Sequence, residues 1–280
     1  MNHAQAAQII QANQEHFNKV AVDGGYDSNP FVEQVTRQIA EVIRESFPFD
    51  EESTVLLDYA CGTGQMSRHL APYTRQIIGA DITQGMVDYY NQRVYNQGIP
   101  PDQMRAICLT GTDSDLDGQK FDLIVCSQAY HHFPNIAAVT KTLASLLKPG
   151  TGKLFVADLM PYDTSIFKQH GQGQGHQGHG HSHDQGHGHG HGHSHDQGHD
   201  HGHSHSHSHG HEAHEESHDA HEPFQGPAVV RKGGFEESEI QTVFTEAGLV
   251  DWQFIENAAS AEMKNKRVEL FLAVGRRPES

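Results

Sequence analysis

Two carboxylates and a pair of histidines stand at the ends of short apolar runs, where strands would leave them facing a ligand. Asp58 closes TVLLD and opens the turn Tyr59-Ala60-Cys61-Gly62-Thr63-Gly64. Asp81 closes QIIGAD, 17 residues after Gly64. His131 and His132 follow FDLIVCSQAY. In the turn, Gly62 and Gly64 let the backbone bend sharply and let a ligand approach without meeting a Cβ. A helix after the turn would aim its free N–H groups at that ligand. Taken alone, a G-x-G turn serves strand-to-helix packing equally well.

The neighbouring residues narrow the ligand. A dinucleotide fingerprint would place Gly or Ala where Ser67 stands. Asp58 would repel a pyrophosphate but attract an ammonium group, directly or through water. Together these two residues disfavour a nicotinamide-dependent oxidoreductase. A carboxylate at the position of Asp81 can accept hydrogen bonds from both hydroxyls of a ribose. Such charge-assisted bonds contribute about 1.5–3 kcal/mol each. A ligand with a ribose, an amino group and no phosphate satisfies both acids, and S-adenosylmethionine is such a ligand.

VLLDYACGTG resembles the first motif of class I S-adenosylmethionine-dependent methyltransferases, and IIGADIT the second. LTGTDSDL resembles the segment that contacts adenine, through Thr112 and Asp113. FDLIVCSQAYHHF resembles the fourth motif of small-molecule methyltransferases related to quinone-biosynthesis enzymes, and LLKPGTGKLFVAD and GGFEESEIQTVFTEAGL match two further landmarks of that group. The resemblance covers about residues 15–160 and 225–275, with Thr112 where an acid is commoner and Ala60 where glycine is usual, a small change that still leaves room. It implies a cofactor-binding set of Tyr26, Asp58, Ala60, Gly62, Gly64, Asp81, Ile82, Thr112, Asp113 and Cys126. Tyr26 would belong to FNKVAVDGGYD, which resembles the cap that closes over the cofactor. The motif lacks the Asn-Pro-Pro-Tyr-type signature that holds an exocyclic amine of a nucleobase, so the expected acceptor is a small molecule. A protein acceptor stays open.

Methyl transfer from a sulfonium needs positioning more than acid–base help, and positioning alone supplies up to about 7–11 kcal/mol. A general base matters only where the acceptor sheds a proton. His131 and His132 are the catalytic candidates for that role; either could instead hydrogen-bond a neighbouring loop. Tyr130 and Phe133 line the acceptor pocket or join the core.

The elements that must position these residues follow from the apolar pattern. Val32, Val35, Ile39, Val42 and Ile43 recur at helical spacing over 30–46. Strands are expected at TVLLDY, 76–81, 105–110, 121–127 and 153–159, with helices between them. After residue 226, a helix at 236–247 ends on Gly248, and Val250, Trp252 and Phe254 alternate as in a strand. The last strand is RVELFLAVG, 267–275, separated from its predecessor by about ten residues, too few for a parallel crossover. The fold class is therefore α/β: a Rossmann-like, seven-stranded, mostly parallel sheet with helices on both faces and the last strand antiparallel. The chain divides into N-terminal cap helices over 1–50, a cofactor-binding core over 51–160, a disordered His-rich insertion over 161–226, and a helix and strand pair over 227–280 that complete the core.

Residues 169–222 hold 20 of the chain's 25 histidines, eight acids and no Lys or Arg. With nothing large and apolar to bury, they are expected to stay disordered. Imidazoles at every second position make a binding tract for divalent Zn or Ni, with His181, His183, His187, His189, His191, His193, His201, His203, His205, His207 and His209 as candidate ligands. Its length and spacing define no four-ligand site, and a metal-binding protein on an inactive methyltransferase fold is the rival from outside enzymology. The net charge is −17, and −9 without the tract's acids. This charge counts against a nucleic-acid partner bound through a broad basic face, while a local basic groove stays open. No apolar run approaches the roughly 18 residues needed to cross a bilayer, and MNHAQAAQIIQANQEHF is too polar for a signal peptide. Cys61, Cys108 and Cys126 show no paired spacing, as expected in cytoplasm or nucleus.

Overall fold

Within the strand Val55–Tyr59 (β1), neighbouring leucines part company: Leu56 joins the core on one face of a sheet and Leu57 the core on the other. Side chains alternate across a strand, so a run that is apolar at every position is covered on both faces. The computed structural model describes residues 2–23, 27–110, 116, 118–162, 228–263 and 265–279. Tyr26, Thr112, Asp113 and every candidate metal-ligating histidine from His181 to His209 lie outside them. Among the described residues no group of histidine, cysteine and acidic side chains is arranged to hold a metal, and no helix is long and apolar enough to cross a membrane.

Seven strands form one sheet. In chain order, β1 is followed by Gln76–Asp81 (β2), Met104–Cys108 (β3), Leu123–Ser127 (β4), Lys153–Leu159 (β5), Val250–Met263 (β6) and Lys266–Arg276 (β7). They lie in the order β3-β2-β1-β4-β5-β7-β6, with β1 to β5 parallel and β7 antiparallel to both neighbours. The order reverses between β1 and β4, and a crevice opens there at the carboxyl ends of the strands.

The helices are His3–Asp23 (α1), Pro30–Ser46 (α2), Gln65–Leu70 (α3), Gln84–Asn96 (α4), Ile136–Leu146 (α5) and Glu237–Glu246 (α6). Asn29 caps α2 by accepting from the Phe31 amide, Pro30 starts it and Glu33 sits in its first turn, three signals that favour a helix N-terminus. Val32, Val35, Ile39 and Ile43 then bury one stripe of α2 against one sheet face, together with α4. On the opposite face α5 and α6 bury Leu143, Leu146, Ile240 and Phe244.

The end of the sheet differs from expectation. β6 runs to Met263 and β7 begins at Lys266, so the two strands form a tight hairpin in place of a ten-residue connection. β6 continues past Phe254 because register shifts between Val250 and Gln253 and between Ile255 and Ala259 absorb the residues that break alternation. Asp251 and Asn257 take positive φ at those shifts, the left-handed conformation that bulges of the G1 type use.

Backbone strain at the turn after β1 is unevenly placed. Ala60 has φ +58, a left-handed conformation that costs an L residue about 1–2 kcal/mol. Gly64 has φ +81, and a Cβ there would meet the Tyr90 ring at 2.4 Å. Ala60→Gly is therefore expected to raise the unfolding free energy by roughly 1 kcal/mol. Gly64→Ala should lower it by more than about 2 kcal/mol through overpacking on top of strain. Urea unfolding of the two variants measures both signs.

Candidate active site

The crevice is organised by one carboxylate. Asp81 is buried at the end of β2; its Oδ2 accepts from the Gly62 amide at 2.9 Å and its Oδ1 from the Thr83 amide at 2.9 Å. Burial raises the pKa of Asp81, while these N–H donors pull against the rise. Asp58, also buried, takes the Ser67 hydroxyl at 2.6 Å and the Ser67 amide at 3.1 Å on Oδ2. Its pKa is pushed up to about 6, first by burial and further by the charge of Asp81, against the two bonds from Ser67. Ser67 is thus the partner that lets a carboxylate sit in the floor of the site. Burial likewise raises the Cys61 thiol.

Gly62, at φ +51, faces open space: a Cβ there would meet nothing within 4 Å. That space belongs to a cleft enclosing about 640 Å³, part of it open solvent. Ala60, Gly62, Asp81 and Ile82 line it, as do Ser127 and Gln128 at the exit of β4. A second cavity of about 350 Å³ shares Ala60, Gly62, Ser127 and Gln128 and is floored by Asp58. The structure thus brings together five of the expected cofactor contacts, Asp58, Ala60, Gly62, Asp81 and Ile82. It does not bring Gly64 or Cys126 to either cavity. Gly64 packs on Tyr90, and Cys126 is fully buried in the core beneath α5 and α6.

Three groups of contacts act across long separations and were not singled out residue by residue in the sequence, although Phe17, Asn18 and Asp27 belong to the expected cap segment FNKVAVDGGYD. α1 roofs the larger cavity with Ile10, Asn13 and Phe17. The Asn13 amide donates to the His132 carbonyl, Gln14 donates to the Ile82 carbonyl, and the Gly85 amide donates to Asn18 Oδ1. Asp27 accepts from Thr63 Oγ1, Gln65 and Arg68 and pairs with Arg93 at 3.0 Å, tying the segment before α2 to the glycine-rich turn. Gln128, at φ +57, donates to Thr36 Oγ1. Ser127 and Gln128 lie inside FDLIVCSQAYHHF, which was the signal available for them.

The two histidines divide in position. His131 is 1% exposed and lines neither cavity; its Nδ1 lies 2.9 Å from Oδ1 of Asp158, a carboxylate buried in β5, and its amide donates to Oδ2. His132 lines the larger cavity beside Phe133, with its ring edge-on to Phe17. Tyr130 is buried and bonded to Thr140, while Phe133 reaches the cavity.

A doubly wound sheet with a reversed terminal hairpin, and an acid at the end of its second strand facing a glycine turn, defines the class of Rossmann-like cofactor-binding domains. Residues 56–150 match the methyltransferase domain family. An uncharacterized methyltransferase of Schizosaccharomyces pombe is 36% identical over 189 residues, 54% of this chain and 66% of that protein. A ubiquinone biosynthesis O-methyltransferase of Coxiella burnetii is 30% identical over 104 residues, 37% of this chain and 43% of that protein. The chain therefore spans less than two thirds of these curated relatives. Magnesium protoporphyrin IX methyltransferase of Synechocystis, solved with bound S-adenosylhomocysteine, shares the fold with a TM-score of 0.56 at 14% identity, covering 96% of this chain and 99% of that one. The chain belongs to the class I S-adenosylmethionine-dependent methyltransferase family.

The raised pKa of Asp58 has a defined effect on stability. The folded chain holds this proton more tightly than the unfolded chain, so the contribution is complete below about pH 4 and is lost as pH rises through about 6. The loss amounts to roughly 3 kcal/mol. Asp58→Asn is expected to remove that decline, flattening the stability curve between pH 4 and 6. Denaturant titrations of both proteins across this window check it.

Proposed function

We propose that this chain transfers the methyl group of S-adenosylmethionine to a small molecule, with Asp81 as the ribose contact, Asp58 beneath the amino group and His132 as the base. Asp81 carries this assignment. Each of its oxygens spends one lone pair on a backbone N–H, and a carboxylate oxygen has a second to offer, so two hydroxyls find two acceptors. The open space over Gly62 leaves room for the ligand against the turn. Asp58 would favour an ammonium group, and binding such a cation favours its ionised form.

Bound there, S-adenosylmethionine supplies a methyl on a sulfonium whose C–S bonding pair leaves with sulfur. The chain's part is to hold the acceptor in line behind that methyl, exclude water and take up a proton. The roof from α1 and the aromatic edge of Phe133 do the first two. His132 takes the proton that the acceptor's nucleophile sheds. The small-molecule preference is supported by the apolar, roofed cavity and by the names of the relatives above.

Asp81→Ala should weaken S-adenosylhomocysteine binding by roughly 10–100-fold, the loss of one or two charge-assisted bonds, as read by calorimetry. Methyl-labelled cofactor incubated with a small-molecule extract and, separately, with a desalted protein fraction then tests the acceptor. Label entering only the protein fraction would replace this proposal with a protein methyltransferase. His132→Gln should abolish transfer while leaving cofactor binding intact.

The tract at 169–222 is proposed, on its alternating imidazoles alone, to take up Zn²⁺ or Ni²⁺. Calorimetric zinc titration of the full chain and of a 169–222 deletion should show uptake in the first and loss of it in the second, with equal affinity for S-adenosylhomocysteine.

A further inference from the structure

We propose that residues 228–231 form a strap that fixes the tautomer and the orientation of His132, so that its basic nitrogen is Nε2. The proposal rests on His132 as the base and adds what makes it one. His132 Nδ1 lies 3.0 Å from the Ala228 carbonyl oxygen. A carbonyl only accepts, so Nδ1 carries the proton and the lone pair of the neutral ring sits on Nε2. An imidazole without such a partner exchanges between its two tautomers, and the form protonated at Nε2 cannot take a proton there.

The strap is built to hold this geometry. Ala228 and Val229 are buried. The amides of Val230 and Arg231 both donate to the His131 carbonyl, at 2.8 and 3.0 Å, so the backbone from which the His132 ring projects is gripped by two bonds. Downstream, the Arg231 guanidinium lies over the Phe235 ring and pairs with Glu239. The Phe235 amide donates to the Leu159 carbonyl at 2.9 Å. Gly234, at φ +76, passes so close to the end of β5 that a Cβ would meet the Met160 carbonyl oxygen at 2.2 Å. From the other side Asp158 fixes His131, and Asn13 donates to the His132 carbonyl. None of the strap's bonds to the histidines uses a side chain of its own, so its residue types can vary while its function persists.

The test is spectroscopic and needs no acceptor. The full chain is labelled with ¹⁵N-histidine and kept with chelator, and long-range ¹H–¹⁵N correlations report which ring nitrogen bears the proton. The His132 signal is assigned by its disappearance in His132→Gln. The wild type should show the Nδ1–H form in roughly tenfold excess, the bias one hydrogen bond provides. Val230→Pro and Arg231→Pro each delete one donor from the strap and should yield a mixture of both forms. S-adenosylhomocysteine should still bind within about threefold of wild type, since the strap touches no residue assigned to the cofactor. A wild-type ring protonated at Nε2 overturns the proposal whether or not the variants fold, and so does a single tautomer that survives in both folded variants. Full methyl transfer by His132→Gln would instead refute the base assignment, while the strap is decided by the tautomer.

Discussion

The Gly62 amide and the Thr83 amide converge on one buried carboxylate, and the site depends on that convergence. Asp81 ties the turn leaving β1 to the turn leaving β2, so neither loop can shift without the other. Behind it, Asp58 is held by Ser67 and feels the charge of Asp81. Two buried acids facing a cleft are electrostatically incomplete: desolvation disfavours both ionised forms, and a cationic ligand restores the balance. The sulfonium and ammonium of S-adenosylmethionine carry that charge.

Around this fixed floor the moving parts of the chemistry are supplied by segments distant in the chain. α1 roofs the larger cavity, the exit of β4 lines it through Ser127, Gln128 and His132, and residues 228–231 return to hold the histidine pair. Each brings one kind of group: apolar surface from the roof, a ring nitrogen from the strand exit, backbone carbonyl and amides from the strap. The division leaves the wall around His132 free to change without disturbing the floor around Asp81.

What could be read in the sequence follows from what is local. The limits of β2 and β5 and of α2 were visible as apolar runs or as a stripe at helical spacing. Asp58 and Asp81 stood out because a carboxylate ending a buried run needs a reason. The sequence reading of β6 stops at Phe254 because the alternation ends there, where the register shift around Asn257 leaves no regular pattern. Nothing in the pair His131-His132 tells one residue from the other. Their different environments come from Asp158, 27 residues on, and Ala228, 96 residues on. Ala60 appeared a harmless replacement for glycine; only the backbone reveals that it occupies the left-handed region.

The roof and the domain beneath it are joined by different forces. α2 buries seven residues, five of them large and apolar, whereas among the described side chains of α1 only Asn13 and Ala21 are buried. α1 is held mainly by amide groups, and each such hydrogen bond contributes only about 0.5–1.5 kcal/mol net because water replaces it on release. Lifting the helix therefore exposes little hydrocarbon and costs a small fraction of global unfolding. Few buried side chains and bonds that water can replace mark α1 as the element of this site that separates at least cost. The cover of the larger cavity is thus tied to three side-chain amides for which water competes.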